Sequence, residues 1–466
     1  MPRVADEVAL IVKAQDWVLL RSYFANKFER AFKTTEPTTL QQLAEVALVW
    51  GRLFLPTYIR DESPPVHVDF LAKRFSARNE YDAMPRGFAK AQSLDSRILT
   101  PSGWVRMGDL REGGFVMGAD GEPKKILGFS PTTEMDLYRL STRDGRSTLC
   151  NLDHLWEVTC PSNTGKKKVV KKTSEILQNF KSQRVDKRTG DSYTEYRYFI
   201  DTCAPLQFEE KKLPLDPYTL GIWLGDGTSA DGTVTSNDPE VFSYIPYKWR
   251  KTKAAFRYQI YGIRSLLRSL HLLQNKHIPE IYKFASVEQR LALLQGLIDS
   301  DGYVLSGGKN FEFTSARKRL FDDVVDLVRS LGGTVTTGEQ LTRFDKDSDY
   351  KLSYRFSARL PKELCPAKLS RKAQLWVGSL KTKAAISNIE FEKRALGRCM
   401  KVEGELYITD DYLVTHNTTM NQLLLCIVAA HYLRNFAVVL EKTFTEASEV
   451  LNVLRDEFSH NDLLLT

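Results

Sequence analysis

Two short stretches with the same pattern of small and acidic residues constrain the fold of this chain more than any other feature. They are Leu220–Gly227 and Leu294–Gly302, and each ends in Asp-Gly. In each stretch one small residue lies five positions before the acid and another directly before it: Gly221 and Gly225, then Gly296 and Ser300. Small residues spaced in this way share one helical face and let two backbones approach closely. The sequence therefore predicts two helices packed face to face, with Asp226 and Asp301 together at one end.

The start of each predicted helix is also marked in the sequence. Asp216-Pro217 provides an N-cap followed by a proline at the first helical position. Ser286–Gln289 has the spacing of a capping box, in which the serine and glutamine side chains bond to each other's backbone amides. Both helices are therefore predicted to begin at these residues and to end at the acids.

Two carboxylates placed side by side without a neutralising partner call for a divalent cation, and Mg²⁺ with phosphate oxygens suits them. The paired motif resembles the LAGLIDADG homing endonucleases. The resemblance implies an α+β DNA-cutting domain over residues 213–383, in which Asp226 and Asp301 hold Mg²⁺ and activate water for cleavage of both DNA strands. Lys276 lies in a Lys-x-Ile-Pro stretch of that family and is implied in phosphate stabilisation.

A basic segment follows the first acid. Residues 241–270 contain no acid, and aromatic residues are interleaved with the cations Lys248, Arg250, Lys251, Lys253, Arg257, Arg264 and Arg268. A strand with this pattern presents cations to a duplex backbone on one face and packs on the other, which predicts double-stranded DNA as the partner. A soluble basic β-surface is the alternative interpretation.

The residues His416-Asn417-Thr418 suggest a second chemistry. Asparagine can attack its own backbone carbonyl and break the following peptide bond, a neighbouring imidazole can polarise that carbonyl, and the threonine supplies a hydroxyl nucleophile. Upstream, Ser93 begins a stretch of short strands and turns that continues to Leu110. With Leu406–Ile408 before the histidine, these two ends resemble those of an intein, a self-splicing insert, spanning residues 93–417.

The intein resemblance implies an all-β splicing (Hint) domain in two parts, residues 93–212 and 384–417, that needs no cofactor. Ser93 would attack the preceding carbonyl. His154 would protonate the departing amide, and Asn151 stands where the family has threonine. The resemblance also implies roles for Cys399, His416, Asn417 and Thr418.

Joining the flanks, residues 1–92 and 418–466, produces a loop that resembles the nucleotide-binding loop of phage terminase large subunits. The resemblance implies fragments of an α/β P-loop ATPase that bind ATP and Mg²⁺ and belong to a larger terminase-like protein. The implied ligands are Arg86, Gly87, Lys90, Thr418 and Thr419. A basic strand-to-helix turn is the alternative. Leu40–Leu53 carries apolar residues at helical spacing and predicts an amphipathic helix.

The composition is that of a soluble globular protein, with 42% hydrophobic and 27% charged residues and a net charge of +8. The longest apolar run, residues 423–430, is too short to span a membrane. Six scattered cysteines without a Cys-x-x-Cys pair predict a reducing, cytoplasmic location in a bacterial or phage-infected cell. Two other functions stay open: a DNA-packaging ATPase fragment with an inert insert, and a DNA-binding or nuclease protein that does not splice.

Overall fold

The structure is a computed structural model of the 466-residue chain. It describes residues 4–14, 16–30, 33–34, 36–54, 68, 71–72, 91–130, 132–162, 165–186, 188–342, 350–379, 383–404 and 406–416. The chain divides into two compact units, one made of residues 1–89 and 418–466 and the other of residues 90–417.

The described part of the first unit is helical. Its helices are α1 (Val4–Lys13), α2 (Trp17–Phe28) and α3 (Pro37–Phe54). The amphipathic helix predicted over Leu40–Leu53 is confirmed, because α3 spans it and buries Leu43 and Trp50 against Phe24 of α2. No helix in the described residues is long and apolar enough to cross a membrane.

The second unit contains the remaining described elements. Its helices are α4 (Thr173–Leu177), α5 (Pro217–Asp226), α6 (Ile263–Ser269), α7 (Glu280–Lys283), α8 (Val287–Asp301), α9 (Lys318–Ser330) and α10 (Ser370–Ala373). Its strands are β1 (Gln92–Ser93), β2 (Arg97–Thr100), β3 (Gly103–Arg106), β4 (Phe115–Met117), β5 (Pro123–Phe129), β6 (Thr133–Thr142), β7 (Ser147–Cys150), β8 (Leu155–Ser162), β9 (Gly165–Lys172), β10 (Lys181–Val185), β11 (Ser192–Tyr196), β12 (Phe199–Asp201), β13 (Thr233–Thr235), β14 (Trp249–Lys251), β15 (Arg257–Ile260), β16 (Gly302–Val304), β17 (Phe311–Ser315), β18 (Thr334–Thr342), β19 (Lys351–Arg359), β20 (Lys383–Arg398), β21 (Met400–Val402), β22 (Leu406–Thr409) and β23 (Leu413–His416).

The largest sheet contains both ends of residues 93–416. Among the described strands its order is β1-β7-β6-β20-β12-β8-β23-β22, with β9 added on β8 and a further pairing between β1 and β20. Strands from before and after the α+β domain, which lies between β12 and β20 in sequence, therefore alternate in one sheet. They share a core around Leu140, Trp156, Ile386 and Ile408. The predicted splicing region is built mainly of short strands, and α4 is its short helix.

The segment between β12 and β20 forms an α+β domain in two similar halves. In each half a long helix, α5 or α8, leads into a small antiparallel sheet. The sheets have the strand orders β13-β15-β14 and β16-β17-β19-β18. One part of the sequence prediction is wrong: Arg264 and Arg268 lie in helix α6, not in a strand. The chain turns at Gly262, which has a φ of 82°, and helical spacing then buries Ile263 and Leu267.

A buried arginine joins the large sheet to the α+β domain. The Arg146 guanidinium donates to the carbonyl of Tyr412 (3.2 Å) and to that of Gly333, and pairs with Asp144 (3.1 Å). Arg329 of α9 donates in turn to the Asp144 carbonyl (2.9 Å). Because one buried cation satisfies carbonyls from distant segments, these parts of the chain are expected to fold together.

Candidate functional site

Helices α5 and α8 cross at their small residues. A Cβ on Gly296 would lie against the carbonyl oxygen of Tyr218 and 2.9 Å from the Cα of Gly221. A Cβ on Gly221 would meet the carbonyl of Leu293 in the same way. These distances leave no room for a side chain, so the close approach depends on glycine. The predicted face-to-face packing is confirmed.

The two acids meet at the ends of these helices. Asp301 Oδ2 lies 3.2 Å from the position that a Cβ on Gly225 would take, directly beside Asp226. Burial, and then the neighbouring Asp301 carboxylate, raises the pKa of Asp226 to about 6. Burial also raises the pKa of Asp301. The free site therefore holds two partly buried carboxylates whose negative charges repel each other.

Two lysines complete this end of the helix pair. Lys276 Nζ donates to the carbonyl of Gly225 at 2.9 Å. Lys372 Nζ donates to the carbonyls of Ile298, Asp299 and Gly302 at 2.6, 2.9 and 2.8 Å. Burial lowers the pKa of each lysine to about 8. Each ammonium thus caps a helix C-terminus beside an acid, where the helix dipole favours a cation.

Lys372 was not predicted from the sequence. The second half lacks a Lys-x-Ile-Pro stretch, so the residue that matches Lys276 comes from helix α10 instead. The repeat itself was the available signal, because a cation at the end of α5 implies one at the end of α8. Asp299, two residues before the second acid, has a structural role, because it accepts from Tyr218 (2.9 Å) and from the backbone amide of Lys368 (2.9 Å).

The acids fit a divalent cation. Both offer carboxylate oxygens, the donors that Mg²⁺ prefers, and their mutual repulsion would be relieved by the cation's charge. Within the described part of the chain no third His, Cys, Asp or Glu joins them. Water, phosphate oxygens and backbone carbonyls are the other oxygen donors that a cation here could use.

The basic segment forms an exposed surface on β14, β15 and the adjoining turns. The exposed cations are Lys248, Arg250, Lys251 and Lys253, together with Arg264 and Arg268 of helix α6. Arg257 is only partly exposed, because its guanidinium donates to the Thr233 hydroxyl (3.1 Å) and pairs with Asp231 (3.4 Å). The predicted cationic face is present, but Arg257 is already bound within the protein.

The start of the predicted insert, at the Gln92–Ser93 bond, lies inside the large sheet. Gln92 pairs with Arg398 of β20 and with Cys150 of β7, and Ser93 pairs with Gly397. Both Gln92 and Ser93 are 0% exposed. The hydroxyl of Ser93 accepts the backbone N–H of Asp95 at 3.2 Å.

The end of the predicted insert, at His416, is connected to its start through β8 and the loop before it. His416 pairs with Leu155 of β8, and the preceding Thr415 forms a hydrogen bond through Oγ1 with Nε2 of the buried His154. The backbone N–H of Asn151 donates to the backbone carbonyl of Ala91 at 3.2 Å. The loop between β7 and β8 therefore contacts the segments that carry both ends. Thr415 was not predicted, because only its position before His416 distinguishes it from other strand threonines.

Cys399 lies two residues after Gly397, the residue that pairs with Ser93 at the start of the predicted insert. It is buried, its amide donates to the Ser130 hydroxyl (2.9 Å), and its carbonyl accepts the Ser130 amide (3.0 Å). Its position is fixed by β20, whose Gly397 pairs with Ser93. The other predicted site residues lie outside the described residues: Arg86, Gly87, Lys90, Asn417, Thr418 and Thr419.

The chain is similar to several known proteins. A family model described as a LAGLIDADG-like domain matches residues 288–359. The replicative DNA helicase DnaB of Mycobacterium intracellulare is 29% identical over 363 residues, which cover 72% of this chain and 59% of the helicase. The homothallic switching endonuclease of Saccharomyces cerevisiae is 28% identical over 163 residues, which cover 26% of this chain and 28% of the endonuclease. The match to the crystal structure of the gp41-1 intein has 19% sequence identity and a TM-score of 0.17. It covers 24% of this chain and 77% of the intein chain.

The family match spans the second half of the α+β domain, from α8 to β19. Residues 288–359 therefore carry a LAGLIDADG-like domain, and the surrounding residues bring both ends of the predicted insert into one β-sheet. The chain spans less than two thirds of the length of the two curated relatives.

Proposed function

We propose that the chain excises residues 93–417 and joins Gln92 to Thr418, and that the excised segment cuts duplex DNA at a specific site. The observation that supports splicing best is the hydrogen bond between His154 and Thr415. This bond connects the loop between β7 and β8 to strand β23, which ends in His416. The same loop contacts the segment before Ser93, because the backbone N–H of Asn151 donates to the Ala91 carbonyl. Two cuts about three hundred residues apart in sequence can then be catalysed in one place.

The splicing steps exchange one acyl bond for another and need no cofactor. Ser93 Oγ attacks the carbonyl carbon of Gln92, the peptide C–N bond breaks, and a proton delivered through His154 leaves the Ser93 amine free. Thr418 Oγ then attacks the resulting ester and releases the Ser93 hydroxyl. The Asn417 side-chain nitrogen attacks its own carbonyl with help from His416, which frees the Thr418 amine. That amine attacks the remaining ester and restores a peptide bond.

Replacing the nucleophile and the cyclising residue together, Ser93→Ala with Asn417→Ala, is expected to abolish processing, because neither acyl bond can then be exchanged. A denaturing gel and an intact mass of the freshly expressed chain measure this. The parent should yield a fragment of residues 93–417 and the joined flanks, and the double variant only the whole chain. A parent chain that stays whole would contradict the splicing proposal.

The DNA-cutting proposal is supported by the two neighbouring carboxylates, Asp226 and Asp301, and by the two lysines beside them. We propose that Asp226 and Asp301 hold Mg²⁺, which when bound neutralises charge on the reacting phosphate. Lys276 and Lys372 fix the helix ends that carry the acids and add positive charge beside them. The buried helix crossing keeps both carboxylates at fixed positions, as cleavage of two strands requires.

The cationic face of β14 is proposed to bind the DNA backbone. Arg250→Ala with Lys251→Ala is expected to weaken binding and to lower the dependence of log K on log salt by about two, one for each phosphate that is no longer neutralised. Titrating a labelled duplex at several salt concentrations measures the slope. The matched control is Lys393→Ala with Arg394→Ala, another adjacent exposed pair on a strand, β20. Equal slopes for the two variants would contradict this surface assignment.

We also propose that the interrupted host is a terminase-like ATPase. The support is the joined sequence itself, which places Arg86, Gly87 and Lys90 before Thr418, Thr419 and an apolar segment. Binding of a labelled ATP analogue to the joined flanks, abolished in Lys90→Ala, would support this host. Retained binding in the variant would contradict it.

A further inference from the structure

We propose that the splicing domain contains a binding subsite for the side chain of Gln92, the host residue directly before the first cut. The ligand that this subsite selects is a primary carboxamide with the length of glutamine. The proposal rests on the proposed splicing function and goes beyond it, because it assigns sequence specificity to a residue that is not part of the excised segment.

Both ends of the Gln92 amide are bound by the same strand. Gln92 Nε2 donates to the hydroxyl of Thr409 at 3.1 Å, and Gln92 Oε1 accepts from the hydroxyl of Tyr407 at 3.1 Å. The two partners lie in β22, on the far side of the α+β domain in sequence. Gln92 and Thr409 are 0% exposed and Tyr407 is 2% exposed.

The subsite is polar inside an apolar core. Burial raises the pKa of the Tyr407 phenol well above its usual range, so it remains a hydrogen-bond donor at neutral pH. The Thr409 hydroxyl also contacts the Thr148 hydroxyl (3.4 Å), which in turn donates to Asp410 (2.9 Å). A side chain without an amide at residue 92 would leave buried polar groups without partners, which is costly.

Each alternative side chain fails for a different reason. Methionine has the length of glutamine but offers neither an acceptor for Tyr407 nor a donor for Thr409. Glutamate has the shape but would bring a charge into a fully buried site. Asparagine is one carbon too short to reach both hydroxyls. The subsite is therefore expected to discriminate strongly in favour of glutamine, since a site built to hydrogen-bond a group rejects analogues that lack it.

The position of the subsite explains how it can affect the reaction. Gln92 carries the carbonyl that Ser93 attacks, and strand β22 pairs with β23, which ends in His416. Holding the Gln92 side chain fixes the rotation of β1 and hence the carbonyl relative to the Ser93 hydroxyl. The same interaction links the first cut to the strand that supports the second.

A double-mutant cycle on the full chain tests the proposal. The variants are Gln92→Met, Tyr407→Phe and the two combined, with Tyr193→Phe on the exposed strand β11 as the control. All chains carry Thr418→Ala and Asn417→Ala, so that the acyl group stays on Ser93, and the rate of hydroxylamine-induced cleavage at the Ser93 ester then reports the first step. Each single variant is expected to slow it about tenfold, which corresponds to about 1.4 kcal/mol. The combined variant should be no slower than either single one, because both partners of the bond are then absent.

The outcomes separate this proposal from the splicing proposal. Cleavage by Gln92→Met at the parent rate, or slowing that is additive in the combined variant, overturns the subsite. If the parent forms no ester, the splicing proposal fails, and the cycle is measured instead by thermal unfolding of the same chains. A non-additive loss of Tm would then still support the subsite, and an additive one would overturn it. If Tyr407→Phe does not fold, Thr409→Val takes its place.

Discussion

Replacing Asp301 with asparagine should abolish cleavage of DNA while leaving binding of DNA and protein splicing intact. Asparagine has the same shape, so the helix crossing is kept, but the pair loses one of its two negative charges. With one carboxylate left, the site holds a divalent cation poorly and loses several kcal/mol of transition-state stabilisation. Because about 1.4 kcal/mol is tenfold in rate, cleavage should fall by about a thousandfold or more. Asp226→Asn should have the same effect.

The measurement uses a linear duplex that encodes the joined host sequence, with the codons up to Gln92 followed directly by those from Thr418. Purified protein is incubated with this duplex and Mg²⁺, and double-strand cuts are counted on a gel. Asp322→Asn, an exposed acid on α9, is the matched control and should cut like the parent. Cleavage by both Asp301→Asn and Asp226→Asn at the parent rate would contradict the assignment of these acids.

The helix pair could be predicted because its signals are local. A cap, a capping box and two small residues on one face determine where each helix begins and which face it buries. The acids follow from the helix ends. Lys372 could not be predicted in this way, because it reaches the end of α8 from a separate short helix. Its position depends on how the chain returns after β19, which no local pattern encodes.

The splicing site shows the same division between local and distant information. Ser93, His154 and His416 were predicted from motifs in the two parts of the predicted splicing region, and the structure places all three in or beside one sheet. Thr415, Tyr407 and Thr409 were not assigned as site residues, since their partners lie more than two hundred and fifty residues away in sequence. Alternation along a strand predicts which side chains point inward, but not what they meet. Arg264 was predicted to lie in a strand because aromatic and basic residues alternate around it, but the structure places it in helix α6.

Gly296→Ala should strongly destabilise residues 90–417, although it adds only one methyl group. In an isolated helix alanine would be favoured over glycine by about 1 kcal/mol. Here the added methyl would lie against the Tyr218 carbonyl and 2.9 Å from the Gly221 Cα, both of which belong to the backbone of the opposite helix. Backbone cannot rotate away as a side chain can, so α5 and α8 must separate. Overpacking of this kind costs about 3 kcal/mol, and the net loss should lower Tm by about 5 °C or more.

The matched control is Gly338→Ala on strand β18, where an added methyl would meet nothing within 4 Å. It should leave Tm unchanged or raise it slightly, because alanine reduces the freedom of the unfolded chain. Both variants are made with Ser93→Ala and Asn417→Ala, so that the chain stays whole during the scan. Separation of the helices would also move Asp226 away from Asp301, so DNA cleavage by Gly296→Ala should fall even below its melting temperature. Equal Tm values for the two variants would show that the helices can relax around the methyl, and the close crossing would then not be what holds the acids together.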